Sequence, residues 1–179
     1  LTRWNELGKL SGKEYIVKTI VTTELLFDMA NKYNVEKFDV LTGFKFIADK
    51  ILNNPEMTFI GGGEESYGFL IGDFVRDKDA NSACFMIAEI AAWAAEQNKT
   101  LYQILKEIYK EFGFYKEGLL SLTKKGISGS EEIKNMMYRF RNDAPKEILG
   151  SKIVEIKDYK TSICKDVASG TETIINLPK

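Results

Sequence analysis

Apolar positions alternate between two periods along the first half of the chain. Glu14 to Thr23, EYIVKTIVTT, is β-branched and almost continuously apolar, the pattern of a central strand covered on both faces. Thr22 or Thr23 then stands where a helix cap is needed, ahead of a stripe of Leu25, Leu26, Met29, Ala30 and Tyr33. A second strand is predicted over 35–41. It leads through Thr42-Gly43 into a helix with Phe44, Ile47, Ala48 and Ile51 on its inner side. Met57 to Ile60 gives a third strand, followed by the glycines Gly61 to Gly63 and a further strand over 67–75. The order βαβαβ implies an α/β fold, a mainly parallel sheet with helices on both faces in three layers.

Residues 80–97 carry Ala83, Cys84, Met86, Ile87, Ile90, Ala91, Trp93 and Ala94 and leave little polar face. This predicts a deeply buried helix at the centre of the domain. An amphipathic helix over 101–112 follows, with Leu101, Ile104, Leu105, Ile108 and Tyr109 on one side. Beyond Gly113 the texture changes. A strand is expected over 115–123, then a basic turn at Lys124-Lys125-Gly126. A helix opened by the capping box Ser128-Gly-Ser-Glu131 comes next, with strands over 152–156 and 173–177. The boundaries that result are a first domain over 1–125 and the beginning of a second, α+β in type, over 126–179. The start at Leu1 rather than Met, and the stop just after Ile174-Ile175, read as cuts within a longer protein.

Composition narrows the classes of function. With 179 residues, 44% hydrophobic and 12% aromatic, the chain can bury a core. The 25 basic and 26 acidic residues nearly cancel, so nucleic acid and anionic membranes have no electrostatic claim on it, and a small-molecule partner is expected. No histidine is present to complete a metal site or a triad. Cys84 and Cys164 have no ligand spacing and read as reduced thiols of a cytoplasmic protein. No apolar run approaches the roughly 20 residues of a membrane span.

Three places interrupt the packing pattern. The first is Gly61-Gly-Gly-Glu-Glu-Ser-Tyr-Gly68, at the carboxyl end of a strand, where open α/β sheets place ligands. Glycines let a backbone come close to a ligand or adopt positive φ. A carboxylate accepts from two neighbouring hydroxyls, and a serine hydroxyl donates or accepts beside it, so Glu64 and Ser66 suit a sugar. The same residues also suit a plain surface turn. A phosphate cradle is disfavoured by two carboxylates after the glycines. A glycosidase pair is disfavoured because adjacent Glu64 and Glu65 in an extended segment point to opposite sides. The second place is Lys18, an ammonium in an apolar strand, which either meets an anion or reaches solvent along its stem. The third is the mixed-charge run Arg76-Asp77-Lys78-Asp79, which also fits a solvated turn with a helix cap. Thr42-Gly43 at a helix start needs no ligand either.

Four segments in order, VKTIVTT (17–23), LTGFKFI (41–47), GGEESYG (62–68) and VRDKD (75–79), resemble the α-D-phosphohexomutases, the phosphoglucomutase and phosphomannomutase family. The resemblance spans essentially the whole chain. It implies the third of four domains plus the start of the fourth. It also implies that the loop Gly63-Glu64-Glu65-Ser66 binds the sugar, with Glu64 and Ser66 on its O3 and O4 hydroxyls. Thr42 and Gly43 would contact the substrate beside that loop. Lys18 and Lys78 would lie at the cleft, assisting proton transfer or neutralising phosphate.

The activity implied for the parent is reversible phosphoryl transfer between O1 and O6 of a hexose phosphate, glucose or mannose 1- or 6-phosphate. Hexose 1,6-bisphosphate is the implied intermediate, and Mg2+ the implied cofactor. The family's phosphoserine loop, its DGDxDR magnesium loop and its RPSGTEP-like phosphate loop have no counterpart here, so the fragment alone is expected to be inactive. Two other readings stand beside this one: a stand-alone sugar-phosphate-binding module, and a structural α/β domain.

Overall fold

The structure, a computed structural model, describes residues 1–118 and 122–177. The chain divides at residues 117/118 into two compact units.

The first unit opens with the short helix α1 (Thr2–Glu6), then β1 (Glu14–Thr19), α2 (Leu25–Lys32), β2 (Glu36–Val40), α3 (Phe44–Asn53), β3 (Thr58–Gly63) and β4 (Phe69–Ile71). Helices α4 (Ala80–Glu96) and α5 (Leu101–Phe112) complete it. The sheet has the order β2-β1-β3-β4, with β1 parallel to both its neighbours and β4 antiparallel to β3. Because β1 is central, every one of its six residues is buried. Tyr15 and Val17 pack with Val40, Phe59, Leu70 and the α3 residues Phe44, Ile47 and Ile51. Ile16 turns the other way, to Ala30 and Val35. The alternation along one strand thus feeds two apolar layers, with α3 on one face and α2 on the other.

Two charged residues of β1 are inside this packing. Glu14 is only 4% exposed. Its carboxylate accepts from the N–H and hydroxyl of Ser11 and from the N–H of Gly12 at 2.7–2.9 Å. Burial works to raise its pKa. The hydrogen bonds from Ser11, its own N–H and Gly12 outweigh it and hold the group down at about 2. The other, Lys18, belongs to the site described below.

Several expectations are corrected. The first strand stops at Thr19, because Thr22 N–H donates to the Thr19 carbonyl and closes a turn. The strand expected over 67–75 shrinks to three residues and runs antiparallel, since the tight loop 64–68 reverses the chain. Helix α4 forms over the expected span, capped by Asp79, but only Ala94 is buried. Phe85 is 70% and Ile87 57% exposed. Its main neighbours in this unit are β4 and α5, which cover one side of the helix. Lys32 pairs with Glu111, and the Tyr115 hydroxyl donates to Asp28, tying α2 to α5 and the segment after it.

The second unit contains α6 (Gly126–Asn142) and the short strands β5 (Glu147–Ile148), β6 (Ser151–Lys152), β7 (Glu155–Asp158), β8 (Ile163–Asp166) and β9 (Glu172–Ile174). Strands β7, β8 and β9 form an antiparallel sheet, and Arg141 on α6 pairs with Asp158 at 2.8 Å. The capping box at Ser128 does not form. The helix starts at Gly126, after Lys125, which leaves Ser128 inside the first turn. Of the strand expected over 115–123, residues 115–118, 122 and 123 are not in a strand, and 119–121 lie outside the described residues. The strand expected over 152–156 is interrupted at 153–154, between β6 and β7.

Candidate functional site

The parallel strands β1, β2 and β3 all end on the same edge of the sheet, and three loops leave from there: 20–24, 41–43 and 64–68. From β1 the chain goes to one side to form β2 and later to the other to form β3. The carboxyl ends of β1 and β3 therefore flank a topological switch point, where such sheets bind ligands.

The loop 64–68 is a tight reversal closed by Glu64 N–H donating to the Gly68 carbonyl at 2.7 Å. Its glycines are needed because backbone presses on backbone. A Cβ on Gly62 would lie 2.5 Å from the Val17 carbonyl oxygen, and one on Gly63 would lie 2.6 Å from that of Gly68. At Gly68 a Cβ would come within 2.7 Å of the Glu64 carboxylate. The close approach is thus made to the protein's own chain. Positive φ is required instead at Gly43 (φ 128°), which caps α3, and Tyr67 adopts it at 56° with its ring fully exposed.

The two glutamates diverge. Glu64 Oε1 accepts from Gly43 N–H at 2.7 Å, joining the loop to the start of α3. Glu65 turns to the other neighbour, where its Oε2 accepts from Thr19 Oγ1 at 3.1 Å, with Thr22 Oγ1 at 3.4 Å. Its Oε1 accepts from Ser66 Oγ at 3.2 Å. Burial works to raise the Glu65 pKa, but its own N–H and the hydroxyls of Thr19, Ser66 and Thr22 hold the carboxylate below the ordinary value.

Gly43 also lines an open pocket of about 700 Å³ with Phe44, Lys45, Leu52, Arg76 and Lys78. Lys78 is half exposed, 5.5 Å from the centroid of the Phe44 ring, and its ammonium lies 2.9 Å from Asp77. That ammonium and the Lys78 N–H hold the Asp77 carboxyl below its ordinary value. Lys18 lies elsewhere, on the α2 face. Its ammonium has no exposed surface and is 3.1 Å from both Asp39, its register partner on β2, and Glu24 in the loop after β1. The Phe27 ring covers it at 4.4 Å. The anion expected from the sequence is there, and it is the protein's own.

The structure therefore brings together Gly63, Glu64, Gly43 and, across the pocket, Lys78. Thr42 and Ser66 are exposed on the adjoining loops, and Lys18 is buried beneath. Reasoning from sequence missed Glu65 with Thr19 and Thr22. The available signal was the run of hydroxyls closing VKTIVTT, at the carboxyl end of the central strand. Among the described residues no three His, Cys, Asp or Glu side chains are grouped as metal ligands, and the site's carboxylates already hold N–H, hydroxyl or ammonium donors. These residues do not fit a magnesium ion.

An α/β/α domain with its loops gathered at the carboxyl edge of a switch point has the layout in which open α/β sheets place ligands. Residues 1–112 match the family model described as phosphoglucomutase/phosphomannomutase, alpha/beta/alpha domain III. Phosphoglucomutase of Staphylococcus aureus (strain bovine RF122 / ET3-1) is 40% identical over 165 residues, covering 92% of this chain and 30% of that protein. That of Staphylococcus epidermidis is 38% identical over 163 residues, with 90% and 30% covered. A putative phosphomannomutase from Thermus thermophilus has a similar fold, with a TM-score of 0.52 at 23% identity, over 69% of this chain and 28% of that one. The chain belongs to the phosphoglucomutase/phosphomannomutase family, and it spans about 30% of the length of its relatives.

Proposed function

We propose that this chain supplies the sugar-binding loop of a phosphohexomutase that transfers a phosphoryl group reversibly between O1 and O6 of a hexose phosphate, through hexose 1,6-bisphosphate. The observation that carries this reading is the hydrogen bond from Gly43 N–H to Glu64 Oε1, which ties the carboxylate to a residue that lines the same pocket as Lys78. Glu64 Oε2 and Ser66 Oγ then meet the sugar's O3 and O4 hydroxyls, with Gly63, Thr42 and Gly43 shaping the surface around them. Recognition of that edge serves a mutase because it can be made in both orientations of the sugar.

Lys78, half exposed and lining the pocket, neutralises phosphate or assists proton transfer. Lys18, wholly buried, acts on the reaction through the loop that it fixes by way of Glu24. Phosphoryl donor, magnesium ligands and phosphate clasp belong to the remainder of the longer protein, and the chain alone is inactive.

The test is kinetic, in the full-length protein. Glu64→Ala and Ser66→Ala each raise KM for glucose 1-phosphate or mannose 1-phosphate about tenfold or more, the loss of a charge-assisted or neutral hydrogen bond of roughly 1.4 kcal/mol or above. KM and kcat unchanged in both variants would refute the assignment.

A further inference from the structure

Of the loop's two glutamates, Glu65 has the more hydrogen bonds and as yet no role. Its carboxylate lies within hydrogen-bond reach of three hydroxyls, those of Thr19, Thr22 and Ser66. The Thr19 and Thr22 hydroxyls also bond each other at 2.8 Å, so Thr22 donates to Thr19 and Thr19, the nearer at 3.1 Å, donates to Glu65. Thr19 is fully buried at the end of the central strand, so one of these donors belongs to the rigid scaffold and not to a loop. The segment that carries Thr22 is tethered on its other side by the Glu24–Lys18 pair. Loop 64–68 is consequently suspended between two anchors: Glu64 on Gly43 and Glu65 on the hydroxyls after β1.

The chemistry of these groups fixes a polarity. An ionised carboxylate only accepts, and a serine hydroxyl has a single proton. With that proton given to Glu65, Ser66 is left with its lone pairs for anything outside. Glu64, also a carboxylate, offers only acceptors as well.

We propose that Glu65 is a positioning residue that anchors the sugar-binding loop to the end of β1 and holds Ser66 as a hydrogen-bond acceptor, so that Ser66 and Glu64 both receive hydrogen bonds from neighbouring sugar hydroxyls. This rests on the sugar-binding reading of the loop. The hexose then acts as a donor at both positions, and a group that accepts but cannot donate is rejected there.

The full-length protein tests this with Glu65→Ala, Glu65→Gln, Ser66→Ala and the double variant Glu65→Ala/Ser66→Ala. Glu65→Ala raises KM for the hexose phosphate about tenfold with kcat within about twofold, the pattern of lost uniform binding. Its thermal midpoint changes little, because Glu65 is solvent-exposed and its bonds stabilise the fold weakly. Glu65→Gln, which keeps an acceptor oxygen, recovers most of the KM. The double variant has a KM below the product of the two single effects, because the part of Glu65's contribution that passes through Ser66 is already lost in Ser66→Ala.

A 3- or 4-deoxyfluoro hexose phosphate reads the polarity directly. Fluorine cannot donate, so the analogue binds poorly to the unmodified protein, and the penalty shrinks in Glu65→Ala, where Ser66 regains its proton. Multiplicative effects in the double variant, or an unchanged KM in Glu65→Ala while Ser66→Ala is impaired, overturn the role of Glu65 and leave the sugar-binding reading standing. Unchanged kinetics in both Glu64→Ala and Ser66→Ala remove the sugar-binding reading, and this inference with it.

Discussion

Strand β1 and helix α4 invert the usual expectation of where charged and apolar residues go. In β1 a lysine and a glutamate are buried beside tyrosine, isoleucine and valine. In α4, where Glu89 and Glu96 are the charged residues, phenylalanine and isoleucine face solvent and only Ala94 is buried. Position in the fold explains both. β1 is hydrogen-bonded on two sides and covered on two faces, so every side chain it has is enclosed, whatever its polarity. Helix α4 has β4 and α5 for its main neighbours, and Phe85 and Ile87 on its remaining circumference stand 70% and 57% exposed. Burial is a property of the neighbours an element finds; composition sets only what that burial costs or yields.

The charges in β1 are the sharpest point of this contrast, and Lys18 carries the largest expected effect. Lys18→Ala removes the cation that Asp39 and Glu24 share and opens a cavity beneath Phe27. Breaking a buried pair costs several kcal/mol, and here the exposure of Glu24 tempers it, so the expected loss is about 3 kcal/mol of unfolding free energy. Urea denaturation of the 179-residue chain measures it. A loss below about 1 kcal/mol would mean that the ammonium contributes no more than a surface ion pair does.

Glu14 comes next, at about 2 kcal/mol for Glu14→Gln, the value of hydrogen bonds to a charged acceptor. Its folded pKa, about 2, lies below its ordinary 4.5. The stabilisation is therefore complete above about pH 4.5 and disappears as the pH falls from there through about 2. Denaturation at pH 7 and pH 3 should show the unmodified chain losing more stability than the Gln variant. Equal losses in the two would show that another group carries the acid sensitivity.

The same contrast separates what is legible in the sequence from what is not. The βαβαβ core is readable because Tyr15, Val17, Phe44, Ile47 and Ile51 repeat at the periods of the elements that bury them. That Glu64 and Glu65 point apart is legible, but its cause is not strand alternation: both sit in the reversal after β3, with Gly43 N–H on one side and the Thr19 and Thr22 hydroxyls on the other. Glu65's partners are not readable, because Thr19 and Thr22 are 46 and 43 residues away and meet it only through the β1–β3 pairing. The exposure of α4 escapes the sequence for a related reason. A helix apolar around most of its circumference is buried only if something surrounds it, and the pattern of its own residues does not say what does.

Ile87 completes the comparison with the smallest effect. It is 57% exposed on α4, whereas Ile47 on α3 has no exposed surface, so the two isoleucines differ only in what the fold places against them. Ile87→Ala in this chain should change the unfolding free energy by less than about 0.5 kcal/mol, because little apolar surface is re-exposed and alanine favours the helix by a few tenths. Urea denaturation of the chain, with Ile47→Ala as the buried reference at roughly 2–5 kcal/mol, sets the scale. A cost for Ile87 approaching that of Ile47 would show that the outer side of α4 is covered in solution, and would erase the difference between helix and strand.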